Sequence, residues 1–416
     1  MPEPLEGIRV VEAGIAVVGP IAGVFLADMG AEVIKIETPL GDATRSFRGI
    51  GNQNPPEAPG PWMVAANRGK KSLQLDLATP EGQAAVHRLI ATADVFLTNF
   101  RQDGLVHMGL DEPTLRSVNR RLVYALCSGF GPRGPDAAAA MLDVAVQARG
   151  GLLNMIGPPD EAPYVVGSVI GDTAGGMLLA LSVMTALVVR ERTGVGQRVD
   201  TSALGAQLFL QAMEIDHTGL TGHCLSRQGR FSSNINGMYG AYATVDDRLI
   251  VLGMVRAKDW PDFCAFCGLA DLADHPVWSN VLLRSGFSNV DIGELRDLLA
   301  QGVRSHTLQE WVAFLHDRPN IVYGVVQTYD EVLADPQVLA NDYVTEIDVS
   351  GLGRRRIIGN LVGFSATPAS AKTSIPGPGE HNVELLRSVG MSDGEIAALS
   401  AQLPTGAQRM IAKQGV

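Results

Sequence analysis

The sequence predicts an α/β protein with a parallel sheet covered by helices on both faces, plus a smaller central domain. Three observations carry this expectation: apolar runs alternate with helical spacings in the first third of the chain, the chain is long, and its composition supplies a large core. At 416 residues it exceeds one ordinary core, and at roughly 150 residues per domain two or three domains are expected. Hydrophobic residues make up 46% and charged residues only 19%, against roughly 25% charged in typical soluble domains. Disorder is therefore excluded as the main state. The formal charge of −11 repels phosphate backbones and anionic bilayers, so neither nucleic acid nor a membrane is an expected partner.

The opening segment reads as one βαβ unit: IRVV is a strand, PIAGVFLADMG has helical spacing ending at Gly30, and AEVIKIE is a second strand. KKSLQLDL, a helix begun by Thr79 and Pro80, ADVFLTNF, a helix through PTLRSV, and LVYALCSGF continue the alternation. Strands and helices at this spacing imply the parallel sheet. GGMLLALSVMTALVVRER is apolar all round, which predicts a helix buried on every side, and the turn TGVGQ ends it. Its uncharged stretch, Thr173 to Val189, is shorter than the roughly 20 residues a membrane span needs. The amino terminus shows no secretory signal, so a cytoplasmic location is expected.

From about residue 222 the character changes to a glycine-rich NINGMYGAY, a strand LIVLGM, and amphipathic helices, one begun by a capping box from Thr307 to Glu310. The expected organisation is a large domain over 1–200, a linker over 201–221, a small domain over 222–325, and a return over 326–416 to the large domain. The tail adds RRRIIGN, the Pro/Gly stretch IPGPGEHN, and a helix capped by Ser392 and Glu395. Cys264 and Cys267 form a CxxC without a second pair at zinc spacing, which reads as two small apolar thiols packed by a helix, and no metal site is expected.

Two places are candidates for chemistry. Gly14, Gly19 and Glu37 sit where a dinucleotide fold places its glycines and acid, but they do not form GxGxxG. Asp172 follows strand-like YVVGSVIG and precedes the apolar helix among Gly171, Gly175 and Gly176. It reads either as an N-cap, or as an ionised carboxylate with room beside it for a ligand carbonyl, and hence a nucleophile.

Over LEGIRVVE, AEVIKIETPLGDATR, NRGKKSLQLDL, ADVFLTNFR, VQARGGLLNMIG, GDTAGGM, TGVGQRVDTSAL, TYDEVLADPQV and PGPGEHN, essentially the whole chain, the sequence resembles the class III CoA-transferases. This is the family of formyl-CoA transferase and carnitine CoA-transferase, which also holds the α-methylacyl-CoA racemases. The resemblance implies a Rossmann-like large domain built from both chain ends, a small central α+β domain, and a homodimer of interlocked rings. It implies an acyl-CoA:carboxylate CoA-transferase in which Asp172 forms a mixed anhydride and then an aspartyl-CoA thioester, with Asp143 in the same cleft, followed in the pattern by Gln147. Coenzyme A enters as a substrate, with no permanent cofactor.

The positions matching the family's CoA contacts are Val17, Val18, Leu75, Asn99, Phe100, Arg101 and His107. Thr38, Ala78 and Ala140 stand where the family has basic residues, and His107 replaces another; Arg45, Arg68, Lys70 and Lys71 lie nearby in the pattern as candidate substitutes for phosphate recognition, with Lys70 and Lys71 reading otherwise as an ordinary solvated pair before a strand. The racemases carry a histidine before the helix ending in the glycine pair, where this chain has Met141 and Leu142; His217 and His223 are the alternatives from further along. Gly237 and Gly240 match the family's glycine loop or form a hairpin turn signalled by Asn236-Gly237, in a run similar to the intramolecular mesaconyl-CoA transferases. The competing expectations are therefore a racemase, an intramolecular CoA-transferase, a non-catalytic CoA-binding paralogue, and an NAD-linked enzyme.

Overall fold

Every second residue of the first strands is committed to one of two apolar layers, and this alternation builds the larger unit of the protein. The computed structural model describes residues 2–404 apart from 50, 52, 56, 57, 236 and 285–290. The chain forms two units, one from the described parts of Met1–Gly150, Ser168–Leu210 and Leu333–Val416, the other from Gly151–Gly167 and Gln211–Val332.

The larger unit runs β1 (Arg9–Ala13), α1 (Val18–Asp28), β2 (Glu32–Glu37), α2 (Pro61–Asn67), β3 (Lys71–Gln74), α3 (Pro80–Ile90), β4 (Val95–Thr98), α4 (Gln102–His107), α5 (Glu112–Val118), β5 (Val123–Ser128), α6 (Asp143–Arg149), α7 (Ile170–Thr193), β6 (Arg198–Ser202) and α8 (Ala203–Leu210). The six strands are parallel in the order β3-β2-β1-β4-β5-β6. This is the α/β architecture the sequence predicts, and its order reverses between β1 and β4, where ligands of such sheets bind at the carboxyl ends of the strands.

Val11, Phe96 and Tyr124 point into a layer with α3, α4 and α5. Val10, Val95, Leu97, Val123 and Cys127 point the other way, onto α1 and α7. Thr79 caps α3 by accepting from the Gly82 N–H, with Pro80 opening the helix. Gly194 ends α7 in the left-handed conformation, φ 75°.

Two expectations need correction. The α7 helix is not buried on every side: Gly175, Gly176, Leu179, Val183 and Leu187 face the core, whereas Met177 is 52%, Leu181 56% and Val188 51% exposed. One helix resting on one sheet face buries a single stripe, whatever its composition. Residues 164–169, strand-like in sequence, form no strand and are mostly exposed, because β-branched residues make a strand only where a pairing edge is available.

The second unit holds α9 (Ala212–Thr221), β7 (Gly240–Ala243), β8 (Leu249–Met254), α10 (Trp260–Phe266), α11 (Val281–Arg284), α12 (Gly293–Val303), α13 (Leu308–His316) and β9 (Val322–Val325). Its three strands are antiparallel in the order β7-β8-β9, over a core containing Trp260, Phe263 and Trp311. Thr307 and Glu310 form the expected capping box of α13. Cys264 and Cys267 are buried in this core, and burial pushes both thiols up, Cys264 to about 12. Asn236 lies outside the described residues, and Gly240 opens β7.

After α14 (Tyr329–Ala334) and α15 (Pro336–Ala340), the chain forms a hairpin, β10 (Val344–Val349) with β11 (Gly353–Ile358), then α16 (Asn382–Ser388) and α17 (Asp393–Ala401). This tail is stitched to the edge strand β3. Asn382 accepts from the Gln74 N–H at 2.8 Å and donates to its carbonyl at 3.1 Å, while the His381 N–H reaches the Ser72 carbonyl at 3.1 Å. The backbone groups of an exposed edge are thereby satisfied within the chain.

The crossing of α7 over α1 depends on glycine. A Cβ at Gly176 would sit 2.7 Å from the Val18 carbonyl oxygen and 3.0 Å from Ile21 Cβ, and one at Gly175 3.2 Å from Ala203 Cα. Gly176→Ala is therefore expected to destabilise the larger unit by about 1–3 kcal/mol, the range for overpacking, read as a lower urea midpoint by far-ultraviolet circular dichroism.

Candidate active site

The glycine crossing sets the first turn of α7 against the start of α6. Asp172 is the third residue of α7, behind an N-cap, Val169, whose side chain caps nothing. The capping role belongs instead to Asp143, the first residue of α6, whose Oδ1 accepts from the backbone N–H of Gly171 at 2.8 Å and of Asp172 at 3.0 Å. Its other oxygen accepts from the Gln147 side-chain amide at 2.5 Å, and the same amide nitrogen donates to the Ser168 carbonyl at 3.2 Å. The N-cap reading of Asp172 is thus overturned: a carboxylate from another helix occupies the positive end of α7.

Asp172 is left in an unusual state. Its Oδ1 is buried and accepts no hydrogen bond among the described residues. Burial, and then the neighbouring Asp143 carboxylate, raise its pKa from the ordinary 3.8 to about 6. Both causes disfavour charge, so the carboxylate ionises below neutrality but is poorly solvated once it does. A desolvated carboxylate is a more reactive nucleophile than one held by donors. Gly171 fits for a related reason, since a Cβ there would meet Asp143 Oδ1 at 3.1 Å and Gln207 Oε1 at 2.9 Å. Cys127, at the end of β5, lies close enough for the Asp172 charge to add to the burial that pushes its thiol up to about 12.

Of the positions matched to CoA contacts, Val17, Val18, Asn99, Phe100 and Arg101 gather at the β1/β4 reversal. Val17 and Val18 begin α1 and are buried, while Asn99 accepts from the Ile15 N–H and donates to the Ile15 carbonyl, both at 2.9 Å. A Cβ at Gly19 would lie 3.0 Å from Asn99 Oδ1, so the glycines at 14 and 19 accommodate this clamp, which explains them without a dinucleotide. Phe100 packs on the core and Arg101 is exposed at the start of α4. Leu75 is not brought there: it follows β3 at the sheet edge and is buried in the core. His107 closes α4, exposed, at the end away from Arg101.

The four substitute cations are already engaged. Arg45 holds Glu37 through two contacts of 2.6 and 2.5 Å, and Arg68 holds Asp28 through a paired contact. Lys70 is fully enclosed, paired with Glu12 at 2.6 Å and donating to the carbonyls of Pro20 and Ala66; burial and the nearby Lys35 lower its pKa to about 8 against the pull of Glu12. Lys71 bridges Glu32 and Glu384. All four therefore face carboxylates of the fold that compete with any phosphate, and Lys70 is enclosed rather than a solvated surface lysine. Their partners lie up to 313 residues away, which no local motif reveals. Met141 and Leu142 lead into α6 without a histidine, and His217 and His223 are exposed residues of the second unit.

Comparison with known proteins decides the family. The chain matches the family model for CoA-transferase family III over residues 5–382. It belongs to that family. It is 32% identical over 403 residues to the succinyl-CoA–D-citramalate CoA-transferase of Chloroflexus aurantiacus, covering 96% of this chain and 98% of that one. The succinate–glutarate CoA-transferase of Agrobacterium fabrum is 31% identical, covering 92% of this chain and 95% of its own. A crystal structure of a CAIB/BAIF family protein from Brucella suis superimposes with a TM-score of 0.82 at 28% identity, covering 94% of this chain and 100% of that one. This family III CoA-transferase is an enzyme, and CoA is the substrate of its family.

The Asp172 site carries a pH signature of its own. Because its folded pKa lies above the unfolded value, the folded state binds more protons between 3.8 and about 6, and stability falls as pH rises through that window. Asp172→Asn removes the charge, so it is expected to raise the melting temperature at about pH 8 and to change it least near pH 4. Differential scanning calorimetry at the two pH values checks the sign; equal effects at both remove the argument from desolvation.

Proposed function

We propose that this protein is an acyl-CoA:carboxylate CoA-transferase with Asp172 as its nucleophile. The observation that carries the reading is the unpartnered, buried Asp172 oxygen beside Gly171 at the head of α7. The carboxylate attacks the thioester carbonyl, the C–S bond breaks, and CoA leaves as thiolate from a mixed anhydride. The thiolate then attacks the aspartyl carbonyl, expelling the donor acid as its carboxylate and leaving an aspartyl-CoA thioester. The acceptor carboxylate attacks that thioester and again forms an anhydride, from which the returning thiolate takes the new acyl group and frees Asp172.

Each step exchanges one carboxylate or thiolate for another, so none needs a proton donor. That suits a site where Met141 and Leu142, rather than a histidine, lead into α6. The relay conserves thioester energy that hydrolysis would lose. At the β1/β4 reversal, Arg101 is the cation among the matched positions left to meet the nucleotide phosphates, with Val17, Val18, Asn99 and Phe100 shaping the crevice.

Asp172→Asn is expected to cut turnover by at least about a thousandfold, since an amide cannot form the anhydride. Wild-type protein incubated with a panel of acyl-CoAs beginning with succinyl-CoA, then treated with hydroxylamine, should acquire a label at Asp172 by peptide mass spectrometry. Full activity in the variant, or no label with any donor that turns over, sinks the covalent route. Exchange of an α-proton with solvent deuterium, without label, would identify a racemase instead.

The same reading includes an interlocked homodimer. Phe209 and Leu210 of α8 are 80% and 56% exposed, and α7, against which α8 packs, leaves Met177 and Leu181 exposed as well. A cavity of about 660 Å³ in the same unit is walled by Ile21, Val24, Phe25, Val64, Leu352 and Ile357 among others. Apolar area on this scale in one folded chain marks an interface, and a second copy supplies matching surface. Analytical ultracentrifugation should show a dimer that persists on dilution to nanomolar concentration; a stable monomer at micromolar concentration overturns it.

A further inference from the structure

We propose that Gln147 is a positioning residue for the transfer reaction, locking the Asp143 carboxylate onto the head of α7 so that Asp172 is kept from that anion site. The inference rests on the reading of Asp172 as nucleophile and adds the element that holds it ready. Gln147 is 1% exposed and lies one helical turn after Asp143 on α6. Its amide nitrogen spends one N–H on Asp143 Oδ2 and the other on the Ser168 carbonyl, in the segment that leads into α7. Asp143 is therefore held from both sides, by the N–H groups of Gly171 and Asp172 on one oxygen and by Gln147 on the other.

The physical logic is a competition for one site. The free N–H groups and the dipole at a helix start favour whichever carboxylate reaches them. Asp172, in the first turn, would take them if Asp143 swung away, and would then be solvated by donors and less nucleophilic. Gln147 prevents that by fixing the rotamer of Asp143. Among the described residues, the titratable groups acting on Asp172 are Asp143 from α6 and Cys127 from β5; the neighbours of its helix there, Val18 and Ala203 against Gly175 and Gln207 against Gly171, do not titrate.

Gln147→Leu keeps the volume roughly constant and removes both donors. The expected result is a fall in kcat of at least about tenfold with KM within about threefold, and a downward shift of about one unit or more in the acid limb of the pH profile. The Asp172 carboxyl, followed by carbon NMR in protein labelled at aspartate and assigned with Asp172→Asn, should titrate lower by a similar amount. In Gln147→Glu two carboxylates meet, and activity should fall further. The double variant Asp143→Asn with Gln147→Glu restores a hydrogen bond of reversed polarity while Asn still accepts the α7 N–H groups, and should regain at least about tenfold over Gln147→Glu alone.

An unshifted Asp172 titration in Gln147→Leu overturns the proposal, as does a double variant no better than Gln147→Glu. If Gln147→Leu is recovered unfolded, the rescue comparison decides. Absence of hydroxylamine label in wild-type protein overturns the nucleophile reading, and the role of Gln147 then stands or falls on the NMR titration alone.

Discussion

The contact on which the site depends is the approach of α7 to α1 at Gly175 and Gly176, where a methyl group on either residue would press on neighbouring backbone or side-chain atoms. It lets a long apolar helix lie low on the sheet with its first turn at the carboxyl ends of the strands. Once α7 is set there, its unpaired N–H groups need an acceptor, and α6 provides Asp143. The nucleophile candidate is then what remains: a carboxylate beside an anion site already filled. The glycines of GDTAGGM thus serve packing at one end and access at the other, and both demands fall on the same seven residues.

A second constraint works beneath the strand ends. Glu12, Lys35, Asp42 and Lys70 form a buried charge cluster, with Glu12 shared by Lys35 at 3.2 Å and Lys70 at 2.6 Å, and Asp42 held by Lys35 at 2.8 Å. Burial would lower the Lys35 pKa, but Glu12 and Asp42 outweigh it and the net direction is upward. Such pairs contribute little net stability, yet removing one partner leaves a buried charge uncompensated. Their role here is to fix the loops after β1 and β2. Lys35 also donates to the Gly14 carbonyl at 2.9 Å, in the loop that Asn99 clamps. Lys70, a cation that looked available for phosphate, is therefore part of the frame that shapes the crevice.

The alternation of strand and helix, the caps at Thr79, Thr307 and Ser392, and the left-handed stop at Gly194 were all legible in the sequence, because each rests on residues within a few positions of one another. The family resemblance was legible for the same reason: its motifs are contiguous. Asp172 stood out through its glycine neighbours. Its electrostatic state did not, because the acceptor that displaces it lies 29 residues away.

What the sequence by itself determined is the class of fold, the family and the identity of the candidate nucleophile, since periodicity, local turn chemistry and contiguous motifs survive without a third dimension. Tertiary structure alone decided which carboxylate caps α7, which cations are already spent on carboxylates, and which face of α7 is left uncovered. Those outcomes depend on distance and dielectric between residues remote in the chain, and Coulomb energy and desolvation are functions of spatial separation and burial, neither of which a linear sequence contains.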